Sequence, residues 1–268
     1  MPNTHLRGKT IERLMLGVIE KSDLISKLAK ENNVTIQGIY KVLNELQKEE
    51  TITIHGKNVG LSLFWIDREL SRWNQTAYTY QSPSRGNAFL ELNVGECLKL
   101  RFKTLRELEL YWTHSFLLLE TKLPLALPAY SIAPHDWFYY ARPESDELWV
   151  RRQKNRIQRL IITHPAMIDR NVRKERKSPQ FENMFGVNPF DQLDTEYKNI
   201  IGEWIFEAKL DATINKQLTE WILSHDTFAK DERRNIDTIL DMRGVFSLRI
   251  SRLPKRTASM VKKLKKYF

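Results

Sequence analysis

The sequence predicts an α+β protein, with a small helical unit closed by a β-hairpin and then a larger mixed domain. Three observations carry this. Apolar residues recur at helical spacing through residues 10–48 and are followed by two β-branched runs around a Gly-Asn turn. Strand-like and helix-like stretches alternate from residue 88 to the end. The 268 residues, 41% hydrophobic and 28% charged, are enough for two cores.

In the first helix, Ile11, Leu14, Met15, Val18 and Ile19 share one face. Ser22 or Asp23 caps a second helix with Leu24, Ile25, Leu28 and Ala29 inward. Asn32-Asn33 ends it, because Asn tolerates the left-handed conformation of a tight turn. Thr35 is an N-cap for a third helix running to about Lys48, with Ile36, Ile39, Leu43 and Leu46 inward. Thr51 to His55 and Val59 to Trp65 read as hairpin strands around Gly56-Lys57-Asn58.

The stretch from Leu24 through Val34-Thr35-Ile36-Gln37-Gly38-Ile39-Tyr40-Lys41 resembles the winged helix-turn-helix of bacterial and archaeal regulators. One departure is Glu49-Glu50, where such domains often carry Gly. The resemblance implies that the helix beginning at Thr35 enters the major groove of double-stranded DNA. Its outward set is Thr35, Gln37, Gly38, Tyr40, Lys41 and Asn44. Gln37 and Asn44 suit base edges, Thr35 and Tyr40 a phosphate or thymine methyl, and Lys41 a phosphate. Lys57 sits at the wing tip. The competing reading is a winged helix used for protein contacts.

Helix-like residues 66–75 carry Leu70 and Trp73, candidates for pairing with a second copy, hence a homodimer, or equally for packing on the second domain. This places a DNA-binding domain at 1–75, a linker at 76–87 around Ser82-Pro83-Ser84-Arg85-Gly86-Asn87, and an α/β domain at 88–268 for sensing a small molecule or protein, for dimerisation, or for partner binding.

The second domain reads as strand 98–102, helix 104–121, the aromatic run Trp137-Phe138-Tyr139-Tyr140, helix 146–158, strand 160–163 and strand 204–210. Helices 211–224 and 231–242, strand 246–250 and helix 257–267 complete it. This order, with Gly202 to Glu207 and Ala258 to Phe268, loosely resembles the effector half of TrmB-like regulators. The His-x-Lys motif of the related phospholipase D fold is missing.

The net charge of +10 is unevenly spread: residues 1–75 hold +2, 141–180 hold +6, 181–250 hold −5 and 251–268 hold +7. On a helix, Arg152, Arg156 and Arg159 would fall at i, i+4 and i+7 and share one face. Exposed, they would attract phosphate; paired with the acidic segment, they would not. Arg170, Arg173, Lys174, Arg176 and Lys177 form a second cluster, expected in a loop. The terminal lysines alternate with apolar residues, so the tail is expected to lie on the domain with its lysines wet.

For chemistry the signals are sparse. Glu207-Ala208-Lys209, with Asp191 or Asp194, matches the acidic-x-Lys pattern of metal-dependent nucleases, and supplies the alternative of a DNA-processing or defence enzyme. An antitoxin-like or replication-associated adaptor is a third class. His spacing offers no metal site, the single Cys97 excludes a thiolate site, and no nucleotide-binding Gly motif occurs. The expectation is a non-enzymatic, cytoplasmic regulator without a cofactor or resident metal. No membrane association is expected, since no apolar stretch long enough to span a bilayer or serve as a secretory signal is visible.

Overall fold

A computed structural model describes residues 2–81, 85–142, 149, 156–175, 180–227 and 233–268. The fold is α+β, and the chain divides into two compact units, Met1–Ser82 and Pro83–Phe268.

Unit 1 contains α1 (Pro2–Leu14), β1 (Ile19–Glu20), α2 (Lys21–Asn32), α3 (Ile36–Lys48), β2 (Ile52–His55), β3 (Asn58–Leu61) and α4 (Leu63–Gln81). The strands form an antiparallel sheet in the order β1-β3-β2. Asn33 adopts φ 50° and its N–H bonds the Ala29 carbonyl, a left-handed cap that turns the chain between α2 and α3. Thr35 Oγ1 accepts from Gly38 N at 3.1 Å, so α3 starts at a satisfied N-cap. Leu24, Ile25 and Leu28 of α2 pack with Ile39, Val42, Leu43 and Leu46 of α3 and with Ile52 and Val59 of the hairpin.

Three details differ from the sequence reading. α1 stops at Leu14, and Gly17 takes φ 137°, so Met15 (64% exposed) and Val18 (71%) face out while Ile19 begins a strand. Ile36, in the first turn of α3, is 56% exposed, and Val42 takes the inward place. The hairpin ends at Leu61, and Leu63 to Trp65 are already helical. α4 then runs through residues that the sequence assigned to the linker. Glu50 sits at φ 57°, a left-handed conformation that favours glycine.

Unit 2 is a seven-stranded mixed sheet. Its elements are β4 (Cys97–Thr104), α5 (Leu105–Lys122), β5 (Ala129–Ala133), α6 (Trp137–Ala141), β6 (Gln158–Ile162), α7 (Met167–Glu175), β7 (Phe181–Phe185), β8 (Glu196–Ile201), β9 (Trp204–Lys209), α8 (Ala212–Leu223), α9 (Arg233–Leu240), β10 (Arg243–Arg252) and α10 (Pro254–Leu264). The strand order is β4-β10-β9-β8-β5-β6-β7, antiparallel except for the parallel pairs β5–β6 and β6–β7.

On one face, Leu248, Ile250, Phe206, Ala208, Tyr197 and Ala129 pack with residues of α5, α6, α8 and α9. On the other, Tyr130, Ile132, Ile161, Ile200 and Ile205 pack with Met260 and Leu264 of α10. Thr104 and Asp211 cap α5 and α8, and Asp211 also accepts from Val245 N at 3.1 Å, tying α8 to β10. Gly244 lies so close to α8 that a Cβ would stand 2.6 Å from Ile214 Cδ1.

Strands β5, β7 and β8 and helix α7 were not expected from the sequence. The predicted helix 146–158 lies mostly outside the described residues, but its end is not helical: Arg156 sits in a bend and Gln158 begins β6.

Candidate nucleic-acid interface

α3 buries one face and exposes the other. Gln37, Tyr40, Lys41, Asn44, Glu45 and Lys48 line a shallow groove on its outer side. Gln37, Lys41 and Asn44 are exposed, and Gly38 is half-buried beneath the Thr35 hydroxyl that caps its N–H. Tyr40 is half-exposed, with Lys21 Nζ 5.0 Å from its ring centre. Lys57 is exposed in the β2–β3 turn, and its carbonyl accepts from Lys21 N at 2.7 Å. The backbone therefore links the hairpin turn to the start of α2.

The structure brings Gln37, Tyr40, Lys41 and Asn44 together as the sequence reading grouped them. It adds Lys48, one turn beyond Asn44, and Lys21, which precedes the residues weighed for readout. The i, i+4 spacing from Asn44 could have found Lys48. Lys21 depends on how α2 packs, which the pattern of α3 does not report. The groove also holds Glu45, with Arg7 Nη1 at 3.8 Å. Arg7 also pairs with Glu49, and this bond raises the Arg7 pKa while lowering that of Glu49.

The second basic group does not form the exposed helix face expected from its spacing. Arg152 lies outside the described residues. Arg156 is fully buried, and its guanidinium donates to the carbonyls of Glu120, Leu123, Pro124 and Leu127 at 2.6–3.1 Å. It satisfies the last carbonyls of α5 and the loop beyond, which a helix end leaves without partners. Burial lowers its pKa, and Glu120 offsets part of this. Arg159 lies on β6, bonded to Glu182 (2.7 Å) and to the Tyr130 hydroxyl (2.8 Å), with the rings of Tyr130 and Phe268 against it. Arg156 and Arg159 thus share no helix face, and neither is free for phosphate. Arg170 packs over Phe185 and Lys174 contacts Asn171, both on helix α7 rather than in a loop. Arg173, Arg176 and Lys177 have no described side chains.

Unit 2 also contains a cavity of about 420 Å³ between α5, the α6 region and β5, β6 and β8. Trp112, Phe138, Trp149, Phe181 and Tyr197 supply aromatic walls, and burial pushes the Tyr197 hydroxyl pKa up. His135 borders the cavity and is almost fully buried. Its Nδ1 is 3.0 Å from Asp169, whose carboxylate also accepts from the N–H groups of Asp136 and Ala166. These bonds hold the loop after β5 against α7. Glu109, at another edge, pairs with Arg142 at 2.7 Å and accepts from Thr113, yet burial still raises its pKa. In the aromatic run Trp137 and Tyr140 are core, while Phe138 stacks on Trp137 at 4.2 Å and reaches the cavity.

The acidic-x-Lys pair does not form a ligand set with other groups. Glu207 is bidentate to Arg256 (2.8 and 3.3 Å) and Lys209 is exposed on the same strand face. Asp194 sits 3.3 Å from His164. Among the described residues no three His, Cys, Asp or Glu side chains are grouped to hold a metal ion, and no helix is long and apolar enough to cross a membrane.

No protein-family model and no curated protein matches this sequence. Among solved structures, TrmBL2, described as an archaeal chromatin protein with a novel mode of DNA binding, aligns at 13% identity with a TM-score of 0.31. The alignment covers 98% of this chain and 91% of that one.

Proposed function

We propose that this chain is a DNA-binding transcriptional regulator in which unit 1 is a winged helix-turn-helix and α3 its reading helix. The observation that carries this is the composition of the exposed face of α3. Two amides, a phenol and two lysines stand together on a helix whose opposite face holds four fully buried apolar residues. Amides present the donor–acceptor pairs that base edges require, and lysines pair with phosphates. Lys57 on the hairpin turn would add a backbone or minor-groove contact.

The reading includes a homodimer. On α4, Leu63, Ile66, Leu70, Trp73, Ala77 and Tyr80 recur at alternating spacings of three and four, the seam of a coiled coil. Trp73 is 66% exposed and Leu63 75%. The seam is about 27 Å long at 1.5 Å per residue, and in a parallel pair the flanking positions bring no two like charges together. Unit 2 is proposed as the sensing domain, with the aromatic-walled cavity receiving a small-molecule effector. No catalytic role, cofactor or metal is included.

Binding to the DNA upstream of the protein's own gene, compared with random duplex at physiological salt, tests the reading. Preferential binding that the Lys41→Ala, Asn44→Ala pair abolishes is expected. Equal affinity for both duplexes, or an unaffected double variant, overturns it.

A further inference from the structure

The β4–β10–β9 end of the large sheet carries its basic side chains on one face. Strand alternation turns Leu98, Leu100 and Phe102 toward the α5 side, in register with Ile250, Leu248 and Phe246. The opposite face therefore presents Lys99, Arg101 and Lys103 from β4, Ser247 and Arg249 from β10, and Glu207 and Lys209 from β9. α10 packs on this same face: Met260 and Leu264 lie against the apolar half built from Tyr130, Ile132, Ile161, Ile200 and Ile205, and Arg256 reaches Glu207 at its edge. Lys99, Arg101, Lys103 and Lys209 are exposed.

The face is not neutralised from within. Glu207 is engaged by Arg256, and Glu196, opposite Lys209, sits 3.4 Å from Lys198. Lys99, Arg101, Lys103 and Lys209 have no acidic partner among the described residues, and Arg249 donates to Ser251 Oγ. Lys99 and Arg249 stand directly opposite each other in register, a like-charge pair that weakens a sheet; the carboxylate opposite Arg249 on its other side, Glu207, is already held by Arg256. Antiparallel strands leave one face wet without penalty, but nothing in sheet packing calls for that face to be cationic.

We infer that this sheet face is a second nucleic-acid surface, one that grips the phosphate backbone of duplex DNA without reading sequence. The cations of β4 lie about 7 Å apart along a straight strand. Over the ~14 Å from Lys99 to Lys103 a duplex offers on the order of eight charges. This face of β4, β10 and β9 carries no aromatic side chain, the usual anchor of a protein interface. Phosphate contact adds affinity and salt dependence but no specificity. The inference extends the DNA-binding reading and makes no use of α3.

The test is a salt titration of binding to a random 30-bp duplex (the length is about three helical turns) by full-length wild type. The Lys99→Gln, Arg101→Gln, Lys103→Gln triple variant, the single Lys209→Gln variant and the α3 double variant are titrated beside it. Each lost phosphate contact lowers the slope of log K against log salt by about 0.9, so the triple variant is expected to lower it by up to about 2.7 and the single variant by up to about 0.9. Discrimination between the upstream site and random duplex should survive in both. The α3 double variant is expected to lose that discrimination while keeping most of the affinity for random duplex.

Slopes and affinities of the triple and single variants equal to wild type overturn the inference. So does wild-type binding to phosphatidylserine vesicles, but not to duplex, that the triple variant loses. An α3 variant without effect beside a triple variant with a lowered slope refutes α3 as the reader and leaves the sheet face standing.

Discussion

Arg156→Ala tests whether this arginine is a clamp or a phosphate ligand. Arg156 is fully buried and its fork reaches four carbonyls, at Glu120, Leu123, Pro124 and Leu127. A hydrogen bond from a charged donor contributes about 1.5–3 kcal/mol. The four share one guanidinium, so they do not add, and removing the cation also returns several kcal/mol of desolvation. What remains is the cost of the abandoned carbonyls and of a cavity the size of an arginine stem. The expected loss is ~3–5 kcal/mol, a large part of the ~5–15 kcal/mol that holds a typical domain. Arg156→Lys keeps the charge but cannot match a fork with a single ammonium, and should lose about 2 kcal/mol.

Urea unfolding followed by near-ultraviolet circular dichroism reads this, because Trp112, Trp137, Trp149, Trp204 and Trp221 all belong to unit 2. The transition should move to lower urea with an unchanged slope. The folded variant, held below its transition, should bind duplex with the wild-type salt slope. A loss under ~1 kcal/mol, or normal stability with a reduced salt slope, would refute the clamp and return Arg156 to the DNA surface.

Gly244→Ala should cost about 1–3 kcal/mol, since the added methyl would meet Ile214 at 2.6 Å and Asp211 at 3.0 Å; a melting temperature equal to wild type would show that α8 yields freely. Glu50→Gly should hold or raise stability by up to ~1 kcal/mol, because φ 57° strains a side chain but not glycine; a clear destabilisation counts against that backbone geometry. Leu70→Glu with Trp73→Glu should shift the chain to monomer in analytical ultracentrifugation, and a wild type that is itself monomeric removes the proposed seam. Glu109 has a raised folded pKa, so the native state holds its proton more tightly than the unfolded chain does. That contribution is full below the unfolded carboxylate pKa and fades as pH rises through the folded value. Glu109→Gln should therefore flatten the decline in stability above about pH 4.5, and urea midpoints across pH should show it; parallel curves would refute the assignment.

The helices of unit 1 were legible because local chemistry decides them. Asn33 supplies the left-handed turn, Thr35 the cap, and the apolar period of α3 its buried face. Where the reading failed, a tertiary partner decided. The apolar period of α1 continues through Val18, but Gly17 breaks the helix and hands Ile19 to β3. Ala129 to Ala133 becomes a central strand because β8 and β6 flank it, and two prolines nearby concealed that pairing. The exposed polar face of α3 was legible for the same reason as its core: a residue on one side of a capped helix is absent from the other. The aromatic walls of the cavity come from α5, α6, Trp149, β7 and β8, far apart in sequence, and no local pattern joins them.

Net charge is the case in which sequence misleads most, and the structure shows why. A cation counted in a sum of +10 can meet three fates. It can be buried against carbonyls, as Arg156 is, or held by a carboxylate, as Arg106 is by Asp237 and Asp241 and Arg252 is by Glu203. In neither case does it present free charge to a polyanion. The third fate, exposure to solvent, does so. Lys41, Lys48 and Lys57 meet it in unit 1, and Lys99, Arg101, Lys103 and Lys209 in unit 2. The β4 cations lie in residues 76–140, a segment whose charge sums to zero. Arg156 and Arg159, from a segment of +6, are consumed in packing. Segment totals thus locate charge along the chain, while strand alternation and burial decide which of it a phosphate can reach. That is why the salt slope of the β4 variant, rather than the isoelectric point, measures the electrostatic part of any DNA binding.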